Sequence, residues 1–187
     1  MNVPIRGCLV TAVLAVLFAH ATGCGGSSDG AVTSGGLQAS FTADEPAPGP
    51  SSVSLEQAGV AGDLVTLDVR VTDVGGVYGA AFYLVLDPAI ATLVRYEPGE
   101  ILESDGHVPL YLVEAGQPGL VVVSTTRLGP VPAVDVTGRR TLLSLTFRVI
   151  GVGASGAVFQ AAALYGDELQ PEPMPGVRWF GGEIAGR

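Results

Sequence analysis

Lysine is missing from this chain altogether. The nine basic residues are all arginine and face 18 acidic ones, for a net charge of −9. So little positive charge leaves no basic footprint for a phosphate backbone, which argues against nucleic acid as a partner. Cysteine is nearly missing too: Cys8 and Cys24 are the only two. Beyond residue 24 the chain can build neither a disulfide nor a thiolate metal site. Of the two histidines, only His107 lies outside the first 23 residues. With one imidazole and no thiol, a zinc site would rest on carboxylates, an unusual set for that ion. His107 sits in the loop-like Glu103-Ser104-Asp105-Gly106-His107, and no serine stands in a nucleophile elbow, so the sequence reads as a non-enzyme. No pair of carboxylates is singled out for glycoside hydrolysis, and no helix of ordinary length is legible.

What is present begins with an export signature. Arg6 precedes an apolar run from Leu9 to Ala21 that is too short for a membrane span, so residues 1–23 read as a signal peptide. The run ends in Ala21-Thr22-Gly23-Cys24, which resembles the lipobox at which bacterial lipoproteins are cleaved and acylated on cysteine. That resemblance implies a lipid on Cys24, membrane attachment through it and, with Gly25 rather than Asp following, the outer membrane as the address. Residues 24–50 are rich in Gly, Ser, Ala and Pro and read as a flexible tether, because such a segment buries too little surface to offset its ordering entropy.

Residues 51–187 carry the punctuation of an all-β domain: short apolar runs separated by Gly, Pro and Asp. Nine strands are expected, a number typical of a β-sandwich. Val65, Leu67, Val69 and Val71 alternate with Thr66, Asp68, Arg70 and Thr72, and Thr141, Leu143, Leu145, Phe147 and Val149 alternate in the same way with polar neighbours. The stretch Val77 to Pro88 differs. As one strand it places Tyr78, Ala80, Phe82, Leu84 and Leu86 on one face and Val77, Gly79, Ala81, Tyr83 and Val85 on the other, so both faces are apolar. One face can fill a core. The other reads as a docking surface.

Five pieces, in order, resemble the cohesin domain family: Gly62-Asp63-Leu64-Val65-Thr66-Leu67; Val77 to Pro88 with its closing Leu-Asp-Pro; Glu97-Pro98-Gly99-Glu100-Ile101-Leu102; Thr141 to Val149; and Phe180-Gly181-Gly182-Glu183-Ile184. The resemblance implies a nine-stranded sandwich of jelly-roll topology whose partner is an extracytoplasmic protein, dockerin-like or other. The family usually presents polar side chains where this chain has Gly79 and Ala81. The expected interface is therefore an apolar strip of Val77, Gly79, Ala81, Tyr83 and Val85, with Thr126 and Arg127 setting orientation. The alternative partner is a polysaccharide, stacked on rings drawn from Tyr83, Tyr96, Tyr111, Tyr165 and Trp179, with Tyr96, Tyr111 and Trp179 as the principal platform. Asp105, Asp167 and Glu168 fall in loops and read as solvated acids rather than a calcium site, and no cofactor is expected.

Overall fold

The computed structural model describes residues 36–166 and 172–187, so the expected signal peptide and Cys24 lie outside the described residues. The compact unit is Gly35–Arg187, and every described core side chain belongs to it, which makes it a self-contained folding unit. Its strands are β1 (Ala39–Ala43), β2 (Ser52–Ala61), β3 (Leu64–Val77), β4 (Gly79–Val85), β5 (Ala91–Pro98), β6 (Pro109–Gln117), β7 (Leu120–Arg127), β8 (Val134–Val149), β9 (Gly153–Tyr165), β10 (Arg178–Phe180) and β11 (Gly182–Gly186). There is no helix among the described residues.

The strands form two sheets, ordered β1-β11-β9-β4-β7-β6 and β10-β2-β3-β8-β5. Neighbours pair antiparallel except β10 with β2. The chain crosses between sheets at most connections, which is the behaviour of a jelly-roll sandwich. Eleven strands stand where nine were expected, for two reasons. β1 forms inside the stretch read as tether, because its backbone pairs with β11 and its Ala39 packs into the core. The terminal strand is also two strands, since Gly181 breaks it: a side chain there would collide with the carbonyl of Ala157, and the chain changes sheets at that point.

The core lies between the inner faces. Val65, Leu67, Val69 and Val71 are wholly buried, as their alternation predicts, and so are Leu143, Leu145 and Phe147 on β8. Fully burying a side chain of this size contributes about 1.5–3 kcal/mol. The β8 alternation does not run unbroken, however. A bulge at Leu142 shifts the register between Val69 and Arg70, so Leu142 and Leu143 are both buried while Thr141 turns outward to accept a 2.6 Å hydrogen bond from Arg70.

Candidate functional site

The two outer faces of the sandwich differ in kind. On the five-stranded sheet, arginines from β3, β5 and β8 are matched with acids. Arg70 lies 3.3 Å from both Glu56 and Asp68, Arg139 3.6 Å from Glu56, Arg95 3.5 Å from Glu97 and Arg148 3.2 Å from Asp63. Ser144 donates to Asp68 at 2.6 Å, and the hydroxyls of Thr66 and Thr146 meet at 3.0 Å. Most of the charges on this face are paired with one another.

The outer face of the six-stranded sheet follows from register. Four rows cross β9, β4, β7 and β6 in turn. The first is Tyr165, Gly79, Thr126 and Leu110; the second is Ala163, Ala81, Ser124 and Leu112. The third is Gln160, Tyr83, Val122 and Glu114, and the fourth is Val158, Val85, Leu120 and Gln117. Glu114 is the one ionisable carboxylate of these rows, and no arginine stands among them. Tyr83, Leu110, Leu112 and Val158 are 42%, 53%, 48% and 50% exposed, so the face is open to solvent. Scattered single apolar residues are ordinary on a surface, but a contiguous group of this kind is not.

Gly79 sets the shape of this face. A Cβ there would stand 2.6 Å from the carbonyl oxygen of Thr125 and 3.3 Å from Cα of Thr126. At this first row β4 and β7 approach too closely for a side chain, and Ala81 in the next row adds only a methyl group before Tyr83. Behind the face, Phe82 turns inward onto Phe159, with ring centroids 5.2 Å apart.

Two residues of the expected strip are elsewhere. Val77 is wholly buried at the end of β3, opposite Val134 in the other sheet, because the chain changes sheets at Tyr78. Arg127 does not reach a partner either. Its side chain is shielded from solvent and clamps the loop before β6, donating to the carbonyl of Leu102 at 2.8 Å and to the carboxylate of Asp105. That guanidinium holds the Asp105 carboxyl well below the ordinary carboxylate range. Thr126 does lie on the outer face, half-buried, with its hydroxyl donating to the carbonyl of Arg127 at 3.1 Å. Four members of the strip, Gly79, Ala81, Tyr83 and Val85, thus share one face with Thr126. Sequence reasoning missed Leu110, Leu112, Val122 and Val158. The signal for the first two was present in the hairpin, where Leu110, Leu112 and Glu114 alternate with Tyr111 and Val113.

Of the rings named for sugar stacking, Tyr83 and Tyr165 lie on the open face of neighbouring strands, whereas Tyr96, Tyr111 and Trp179 do not come together. Tyr96 on β5 and Trp179 on β10 occupy opposite edges of the five-stranded sheet, four strand spacings or about 19 Å apart. Trp179 packs into the core, its ring centroid 5.0 Å from Phe159 and 5.6 Å from Phe82. Tyr111 points inward and donates to the carbonyl of Leu142 at 3.3 Å; burial, reinforced by the charge of Glu103, pushes its phenol up to about 12. His107 Nδ1 lies 3.1 Å from Asp105, whose carboxylate is already engaged by Arg127, so this trio braces a loop. Asp167 and Glu168 lie outside the described residues, and no group of three or more potential metal ligands occurs among those described.

Comparison with known proteins bears on the same region. Residues 51–170 match the family model of the cohesin domain. Among solved structures, the chain is similar to the second type II cohesin module of the adaptor scaffoldin ScaA of Acetivibrio cellulolyticus, with a TM-score of 0.54 at 14% identity over 79% of this chain and 88% of that one. It is similar also to the cohesin of a type II cohesin–X-dockerin complex of Acetivibrio cellulolyticus, with a TM-score of 0.53 at 12% identity over 68% of this chain and 94% of that one. The cohesin CaCohA2 of Clostridium acetobutylicum gives 0.51 at 14% identity over 70% and 86%. At these identities the likeness is one of fold. Among curated proteins, none matches the chain in sequence.

Proposed function

The chain belongs to the cohesin domain family, and from that membership we propose that it is a non-catalytic module whose outer six-stranded face docks a dockerin-type protein. Cohesins that share this fold have been solved in complexes with dockerins. The observation that carries the reading is the contrast between the two outer faces. One has most of its charges paired with one another. The other is open, nearly uncharged and apolar around Tyr83, Leu110, Leu112 and Val158. Burial of that group supplies the driving force, and Ser124, Thr126 and Gln160 supply the hydrogen bonds that fix orientation. Because the four rows over β9, β4, β7 and β6 hold no arginine and one carboxylate, Glu114, the partner contributes an apolar stripe rather than a charged one, and binding depends little on salt.

The proposal extends to the address. The tetrapeptide Ala21-Thr22-Gly23-Cys24 supports acylation of Cys24, which moors the module to the outer membrane and leaves the docking face free on its tether. Incorporation of a labelled fatty acid that disappears in Cys24→Ser checks that part. Binding of Gly35–Arg187 to a panel of dockerins by calorimetry, compared with Tyr83→Arg, checks the docking part.

A further inference from the structure

Four strands lie at sheet edges, and three of them carry the features that keep an edge from pairing. β5 has Arg95, Glu97, Pro98 and a bulge between Leu93 and Arg95; β10 is three residues long; β1 is five. Such features prevent an exposed row of backbone donors and acceptors from acting as a template. β6 is protected only at its ends, by Pro109 and by a register shift between Glu114 and Gln117, and the stretch between them is open. The strand is nine residues long, has proline only at its first position, and contains Glu114 as its one charge. Its ladder to β7 is regular from Pro109 to Glu114, and among the described residues no loop hydrogen-bonds to its other side. Exposed apolar side chains follow the same edge: Val108 is 77% exposed, Leu110 53%, Leu112 48% and Leu128 52%.

We propose that the free edge of β6 pairs with β6 of a second copy of this chain, antiparallel about a two-fold axis at Leu112. The segment Leu110-Tyr111-Leu112-Val113-Glu114 is self-complementary about its centre. On the outer face Leu112 meets Leu112 of the other copy, and each Leu110 meets the other copy's Glu114, so the two carboxylates are kept apart. On the inner face Tyr111 meets the other copy's Val113, an aromatic and β-branched pair of the kind that stabilises a ladder. A two-fold contact uses the same patch on both copies and closes, so the product is a dimer and not a filament. β1, where the chain enters the sheet, lies five strand spacings or about 24 Å from β6, so the two entry points stay at the far ends of the joined sheet. The axis stands perpendicular to the sheet, which leaves both outer faces pointing the same way.

Sedimentation equilibrium of Gly35–Arg187 over a wide concentration range tests this. A monomer–dimer equilibrium is expected, and it strengthens with added salt because two copies of an acidic chain repel one another until screened. Leu112→Lys weakens dimerisation by roughly tenfold or more with the fold retained by circular dichroism. The folding unit has no native cysteine, so in Leu112→Cys mild oxidation gives a covalent dimer, whereas Val152→Cys, 76% exposed at the other end of the domain, does not. Tyr83→Arg leaves the equilibrium unchanged. A monomer at all concentrations would overturn the proposal and leave the edge to a strand from another protein. Loss of the dimer in Tyr83→Arg, or equal crosslinking at Val152, would overturn it in favour of face-to-face or unspecific contact.

Discussion

Arg127 and Asp105 form an ion pair with one member shielded and one half in water: the arginine side chain is fully buried and the aspartate is 39% exposed. The pair joins β7 to the loop before β6, and so fixes the border of the open face. Removing the carboxylate strands a buried cation, which costs more than replacing the arginine with an apolar side chain of similar length. Asp105→Ala is therefore expected to lower the melting temperature more than Arg127→Met does, as read by thermal unfolding of each variant.

The same pair makes stability depend on acid. Hydrogen bonding from Arg127 depresses the Asp105 carboxyl below its ordinary value of 3.8, so below that pH the unfolded chain binds a proton that the folded one refuses. The stabilisation is complete above the ordinary value and drains away as pH falls toward the depressed one. Denaturation free energies measured from pH 5 down to pH 2 should decline, and Asp105→Asn should flatten the decline. An equal slope in both proteins would contradict the assignment.

Gly79 has no room for a side chain. The carbonyl of Thr125 stands 2.6 Å from where a Cβ would sit, and it belongs to the backbone of a central strand, which cannot step aside. Gly79→Ala is expected to cost about 1–3 kcal/mol, the ordinary range for overpacking. Chemical denaturation should report it as a lower midpoint with the same slope.

Tyr111 answers at the other end of the pH scale. Its phenol is raised to about 12, first by burial and then by Glu103. Unfolding releases it to ionise near 10, so its contribution to stability is intact below that pH and is lost as pH climbs toward 12. Ultraviolet titration should find one phenol ionising late, and Tyr111→Phe should remove that step alone.

Much of this fold is legible where the hydrophobic period is unbroken and the pairing local. Val65 to Val71 alternates and lies in the core as its pattern dictates, and Ala80, Phe82 and Leu84 do the same. Period does not reveal which sheet a residue joins or which distant segment it meets. The apolar run through Val77, Tyr78 and Gly79 reads as continuous, yet Val77 ends β3 in one sheet and Gly79 starts β4 in the other. Arg127 shares the parity of Val121 and Val123, so alternation alone turns it inward, away from its neighbour Thr126; what the sequence hides is the distant loop that supplies Asp105 and Leu102. β1 was hidden because Ala-Ser-Phe-Thr-Ala has weak strand propensity and draws its order from pairing with the far end of the chain. Tyr83, by contrast, was placed on the open face from its parity alone.

The central claim is that docking uses the outer six-stranded face, and calorimetric titration of dockerins into Gly35–Arg187 and two variants tests it most directly. Tyr83→Arg places a charge on the apolar face, and Arg95→Ala removes one from the opposite, ion-paired face. The account predicts that the parent domain and Arg95→Ala bind alike and that Tyr83→Arg loses at least tenfold in affinity, about 1.4 kcal/mol. Binding that survives Tyr83→Arg and fails in Arg95→Ala would place the interface on the other sheet and contradict it.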